Sequence, residues 1–223
     1  MKYGLIGGFI KFAFAKTAFD YIAKEIPAID MASYKPRALK EYRAIVERTP
    51  GIGRMKDNMF VRTLYAGAFL IALYKEADGK IDEEKLKGLV RAAAYSPLMV
   101  KAKRGKSAFT EKEIANRTKQ AKWSRDHIGE YPMNWFYYFE TVPGKDEYYI
   151  THKQCGICKL TKQEHCEEIT KYLCMMDYYT FEMQGAVLDR TKTLGYGDDE
   201  CNFHLMSRAR AAELGFVPDP DAK

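Results

Sequence analysis

Residues 135–152 read WFYYFETVPGKDEYYITH, and this stretch decides the class of the fold. Trp135 to Val142 and Glu147 to His152 are rich in aromatic and β-branched residues, and Pro143-Gly144-Lys145-Asp146 between them supplies turn chemistry. Two strands joined by a short turn are expected. Upstream the apolar residues recur at three- and four-residue spacings instead, so the texture changes near residues 129–133. The expected architecture is α+β. A helical region (1–130) shares one core with an α+β unit (131–217), and a frayed tail follows (218–223).

Working upstream, Ile6, Phe9, Ile10, Phe14, Ala18 and Ile22 fall on one helical face. Lys11 interrupts the apolar run before a signal-peptide h-region is complete. Pro36 is placed to open a second helix over 37–47, which Thr49-Pro50-Gly51 stops. The longest periodic stretch is 55–77, with Met59, Phe60, Leu64, Phe69, Leu70 and Leu73 as core positions. Asp78-Gly79 ends it. A calcium loop centred on Gly79 fails at both anchors, because Tyr74 and Lys85 would occupy its first and twelfth positions. Asp82 is instead the N-cap of a helix reaching Tyr95 before Ser96-Pro97, residues 101–106 form a basic loop, and Thr110 with Glu113 makes a capping box for a helix to His127.

Downstream, Ile169, Leu173, Met176, Thr180 and Met183 form a second helical stripe within 166–184 that Gly185 is placed to end, and 186–194 and 201–206 alternate as strands. The C-terminal half therefore reads β-β-α-α-β-β, a small antiparallel sheet with helices on one side.

Composition narrows the function classes. With 47% hydrophobic and 30% charged residues the chain is globular, and it contains no apolar run of membrane-spanning length. A net charge of +6 favours anions without choosing one, and the basic residues lack the interleaved aromatics of a nucleic-acid surface. A small-molecule ligand is expected, in a protein that forms a homo-oligomer. Five cysteines without an even framework point to a reducing cytoplasm.

Those cysteines invite a metal reading. Cys155-x2-Cys158 is half of a zinc site, but Cys166 and Cys174 lack knuckle spacing, so closure would fall to His152 or His165. No cofactor is predicted, and zinc at Cys155 and Cys158 stands as the alternative in a regulatory module. A further alternative is an interaction protein docking a partner through its first helix. On a continuous helix Thr170, Cys174, Asp177 and Phe181 share a face, while Glu168 points the other way. Arg190 offers a planar fork for a carboxylate, yet in a regular strand Arg190 and Thr193 face opposite sides, so both reach one pocket only through a bulge.

Taken in order, these residues resemble the L-2-amino-thiazoline-4-carboxylic acid hydrolase family. That family's pattern is a cysteine after the second strand, a Glu six residues before Cys-x-x-Asp, an Arg-x-x-Thr strand with a glycine turn, and a closing Cys-Asp-Phe. The matching positions are Cys155, Glu168, Cys174 and Asp177, Arg190 and Thr193, Gly197, then Cys201 and Phe203; Asn202 replaces the closing Asp. The resemblance implies a hydrolase acting on a non-peptide carbon–nitrogen or carbon–sulfur bond of a small cyclic amidine carrying a carboxylate. By that resemblance Cys174, Asp177, Cys201 and Glu168 are the catalytic candidates. Arg190, Thr193, Gly197 and Asn202 are the substrate-binding ones. Asp177 would take a hydrogen bond from the amidine or the attacking water, Arg190 would hold the carboxylate, and Cys174 or Cys201 would be nucleophile or lining.

Overall fold

The computed structural model describes residues 1–217, so the tail expected over 218–223 lies outside the described residues. Its helical half holds α1 (Gly4–Glu25), α2 (Met31–Arg48), α3 (Val61–Lys75), α4 (Glu83–Ala94), α5 (Pro97–Lys103) and α6 (Glu111–Asp126). The second half runs β1 (Phe136–Thr141), β2 (Glu147–Gln154), α7 (Gly156–Gln163), α8 (Thr170–Leu173), α9 (Met176–Met183), β3 (Ala186–Arg190), β4 (Cys201–Ser207) and α10 (Arg208–Glu213). The expected α+β class is what the chain adopts.

Helix α3 is the axis of the helical half, because residues from Leu64 to Leu73 are buried around nearly its whole circumference. Tyr42 and Phe19 meet Phe69 edge-on, and the Tyr34 hydroxyl donates to the Leu73 carbonyl at 2.7 Å. These rings carry large apolar areas while their hydroxyls find backbone acceptors. Helix α1 buries Ile10, Phe14, Ala18 and Ile22 as its spacing predicts, but Phe9 is exposed. Among the described residues no helix is long and apolar enough to cross a membrane.

Several boundaries follow from local capping. Asp82 and Thr110 cap α4 and α6 by accepting from the amides of Lys85 at 3.0 Å and Glu113 at 3.2 Å. Helix α2 starts one turn earlier than Pro36, because Asp30 accepts from the amides of Ala32 and Ser33. Pro36 therefore lies inside the helix, and Pro97 opens α5 within the stretch expected to be a breaker and a basic loop. Asp78 (φ 51°) and Gly79 (φ 73°) take the left-handed turn after α3.

The sheet is antiparallel throughout, in the order β1-β2-β4-β3. Alternation sends Tyr137, Tyr148, Ile150, His152, Leu188, Arg190, Cys201, Phe203 and Leu205 to the buried face and leaves Tyr138, Tyr149, Asn202 and His204 on the other. Register sets His152 opposite Cys201 and Phe203 between Ile150 and Arg190. Chemistry-bearing residues thus gather at one end of the buried face. The helical half is tied to this unit by Glu164, just past α7, which accepts from Arg48 on α2 and from Lys75 on α3.

Candidate functional site

The site begins with a sharp entry into α7. Strand β2 ends at Gln154, whose side-chain amide donates to the carbonyls of Asn134 (2.6 Å) and Pro132 (3.1 Å), pinning the chain beside the segment that leads into β1. A Cβ on Gly156 would stand 2.5 Å from the Trp135 ring and 2.6 Å from the Met133 carbonyl, so only glycine lets the helix start this close. Gly156→Ala is expected to cost about 1–3 kcal/mol, read as a lower chemical-denaturation midpoint. The consequence of the tight start is that Cys155 becomes the residue capping α7, with Cys158 one turn along.

Helix α7 is locked to α8 by a buried hydrogen bond of 2.6 Å between the hydroxyls of Thr161 and Thr170. The single helix expected over 166–184 is instead divided. A 3-10 turn covers Glu167–Ile169, and the chain tightens again at Cys174 and Met175, where both ψ angles are −21°. In that turn the Cys174 carbonyl accepts from the Asp177 amide at 3.3 Å and from Arg190 Nη2, also at 3.3 Å. Arg190 Nη1 donates to Asp177 Oδ2 at 3.2 Å, and its guanidinium lies 4.8 Å from the Tyr178 ring centre and 5.0 Å from that of Phe203. Cys174, Asp177, Arg190 and Cys201 are therefore brought together.

The Asp177 side chain keeps 40% of its surface open, whereas Arg190 beneath it keeps 1%. Burial nevertheless pushes the Asp177 carboxyl above its usual value, against the downward pull of Arg190 and, farther off, Arg117. A group that solvent can touch and yet is strongly desolvated lies in a narrow recess. Cys155, Cys158 and Cys174 share this half-open state, and Cys201 is buried.

The thiols in the recess are not equivalent. Burial drives Cys174 well up and Cys201 up to about 12, while Cys158 is raised by its hydrogen bond to Cys155 and then by burial. Cys155 alone among them is held below the usual thiol value: the Cys158 thiol and the amides of Cys158 and Ile157 outweigh burial, although its sulfur closes no regular capping hydrogen bond. Negative charge on Cys155 raises both Cys174 and Cys201, which places all three within one another's field. Among the described residues no three His, Cys, Asp or Glu side chains are arranged to hold a metal ion. Cys155 and Cys158 engage each other.

Two buried polar atoms border the same end of the sheet. His152 Nδ1 has no hydrogen-bond partner among the described residues, and the ring, packed near Phe60, Tyr137 and Phe203, is held neutral because burial and then Arg190 lower it to about 3. Thr193 Oγ1 is likewise fully buried and without a partner. Thr193 returns inward because Asn202 Oδ1 accepts from the amides of Thr191 (3.1 Å) and Lys192 (2.6 Å), folding those two residues outward at the end of β3. The conflict between Arg190 and Thr193 is resolved by this kink, so both lie on the inner side.

The remaining candidates stand elsewhere. Asn202 occupies the opposite sheet face and holds a turn; it does not reach the recess, because alternation that turns Cys201 and Phe203 inward turns it out. The replacement of an Asp by this Asn thus falls outside the cluster. Asn202→Asp keeps the oxygen acceptor, so turnover of a substrate of the wild-type protein should stay within about two-fold, whereas Asn202→Ala, which frees both amides, should cost about 1–2 kcal/mol of stability. Glu168 is exposed and accepts from the Tyr74 hydroxyl at 3.0 Å, in a groove of about 540 Å³ that also carries Asp82, Glu83, Glu167 and Lys171. Its position in the 3-10 turn keeps it away from Asp177. Gly197 (φ 93°) shapes an exposed outer turn. Gly195, which spacing did not single out, approaches instead: a Cβ there would lie 3.1 Å from Cys174 Sγ.

The fold and the recess define an α+β protein that gathers a carboxylate–guanidinium pair and several thiols where a divided helix meets a four-stranded sheet. The chain belongs to the L-2-amino-thiazoline-4-carboxylic acid hydrolase family, whose sequence model matches residues 62–205, more than half of its length. No curated protein and no solved structure shows significant similarity to it.

Proposed function

We propose that this protein is a hydrolase that opens a small cyclic amidine of the 2-amino-thiazoline carboxylate type. The observation carrying this reading is Asp177, an accessible but desolvated carboxylate seated on Arg190 among thiols. Its raised proton affinity suits general acid–base work, because the group can accept a proton from water and return it to nitrogen or sulfur. As an anion it also complements a protonated amidine.

Arg190 acts through Asp177 in this reading, since its guanidinium is enclosed by Tyr178, Phe203 and the Cys174 carbonyl. The field of Arg190 and Arg117, felt at Asp177, favours a substrate that also bears a carboxylate. Water adds to the carbon between nitrogen and sulfur, the carbon–sulfur bond breaks, and the product is an N-carbamoyl amino acid with a free thiol. The departing sulfur is a fair leaving group, with a reference thiol pKa of about 8.5.

The test is incubation of the purified protein with 2-amino-thiazoline-4-carboxylate, following thiol release and product mass. Release matching substrate loss is expected. Absence of turnover with this compound and with its oxygen and nitrogen ring analogues would count against the reading.

A further inference from the structure

We propose that Cys155 is the nucleophile of this recess, attacking the amidine carbon through Sγ from the capping position of α7, with Cys158 as its hydrogen-bond donor and Asp177 as the proton carrier. This inference rests on the hydrolytic reading above for its substrate. Its geometric basis is independent of that reading. Gly156 and Trp135 fix where α7 begins, the Thr161–Thr170 bond sets α7 against α8, and Cys155 is thereby held within the fields of Asp177, Cys174 and Cys201. On the sheet side, His152 lies directly across from Cys201 on the inward face, 7% exposed with Nδ1 unpartnered among the described residues, and Thr193 Oγ1 is fully buried and equally unpartnered. Buried polar atoms left without partners are rare, and these two border the end of the sheet where a polar ligand would satisfy them.

The other thiols fit the role less well. Burial disfavours the thiolate of Cys174, and Cys201 Sγ already accepts from the Leu194 amide at 3.3 Å. Cys166 stands apart, directed to the Thr161 carbonyl. Only Cys155 combines partial exposure with neighbours that favour its thiolate.

The chemistry closes without a further co-reactant. The Cys155 sulfur pair forms a bond to the amidine carbon, and the π pair moves to nitrogen. The ring carbon–sulfur bond then breaks, its pair leaving with the ring sulfur, which takes a proton. Cys155 is left carrying an isothiouronium group that retains every heavy atom of the substrate. Water, giving its proton to Asp177, adds to the same carbon; the bond to Cys155 breaks, its pair returns to Sγ, and the urea is released. A sulfur whose thiolate is favoured both attacks at neutral pH and departs readily in the last step.

Two measurements test this. In rapid acid quench with 2-amino-thiazoline-4-carboxylate, a covalent adduct of the full substrate mass is expected on the peptide containing Cys155. Cys155→Ser should lose turnover by at least roughly 10³-fold with an unchanged melting profile, while Cys166→Ser stays close to wild type. Unimpaired turnover in Cys155→Ser overturns the assignment. Independently of any turnover, the wild-type protein is treated at pH 7 with substoichiometric 2-chloroacetamidine, an amidine that alkylates thiols. Labelling of Cys155 ahead of the other cysteines is expected, and first labelling elsewhere would refute the role even if hydrolysis is observed. Labelling at Cys155 without turnover would retain the nucleophile and overturn only the substrate class.

Discussion

Asp177→Asn is expected to lower kcat for thiazoline opening by roughly 10²–10⁴-fold while the protein remains folded. The amide occupies the same volume and can still accept from Arg190 Nη1, now 3.2 Å from Oδ2, but it cannot take a proton from water. Arg190, 1% exposed at its side chain, loses its counter-ion. The stability cost is set at about 1–2 kcal/mol, below that for a fully buried pair, because Asp177 is open over 40% of its side chain and solvent screens the interaction. The pH profile separates a catalytic from a structural role. Burial raises the Asp177 carboxyl above 3.8, with Arg190 and Arg117 opposing, so wild-type activity that needs the ionised form rises as pH climbs through that raised value. The Asn variant should lose this limb and keep only a low residual rate. A variant that falls in rate but retains the limb would assign the titration to another group.

The parts of this arrangement differ in how far they can be read from the sequence. The hairpin is legible because aromatic strands flank a Pro-Gly turn, and the caps Asp82 and Thr110 because their carboxylate or hydroxyl meets a free amide three residues on. Gly185 ends α9 with φ 74°, as its place after the apolar stripe suggests. Helix α7 is hidden by its composition: CGICKLTKQ looks like half a metal site, whereas a Gly that must clear Trp135 and the Met133 carbonyl makes it a helix start. That clearance is a tertiary contact, invisible to spacing.

The same limit explains the site. A uniform 100° per residue puts Cys174 and Asp177 on one face correctly, but the 3-10 tightening at Cys174 and Met175, which frees a carbonyl for Arg190, depends on what Arg190 offers from a strand sixteen residues away. Arg190 and Thr193 violate strand alternation because Asn202 captures two amides across the sheet. Order along the chain thus identifies the family, while the division of labour among its thiols emerges only from burial and helix placement.

Glu164→Ala should produce the largest loss of stability, about 3–5 kcal/mol, without touching the recess. Glu164 is 1% exposed at its side chain and accepts from Arg48 Nε at 2.8 Å, from Arg48 Nη2, and from Lys75 Nζ at 2.8 Å, with Gln163 at 3.1 Å completing its shell. Deleting the carboxylate leaves two cations facing a cavity at the junction of α2, α3 and α7, with Glu41 as a remaining acidic partner. Burial by itself would raise the Glu164 carboxyl, but the hydrogen bonds from Arg48, Lys75 and Gln163 prevail and hold it at about 2, below the reference of 4.5. Because the folded-state value is the lower one, the associated stability is fully present above pH 4.5 and is lost as pH falls toward 2. The linked contribution is about 3 kcal/mol, equivalent to roughly 6–12 °C in Tm for a chain of this length. Thermal melts of wild type and Glu164→Ala across pH 2.5 to 7 should therefore converge at the acid end and separate at neutral pH. Parallel curves would mean that the carboxylate's charge contributes nothing to the junction and that Glu164 serves only as packing.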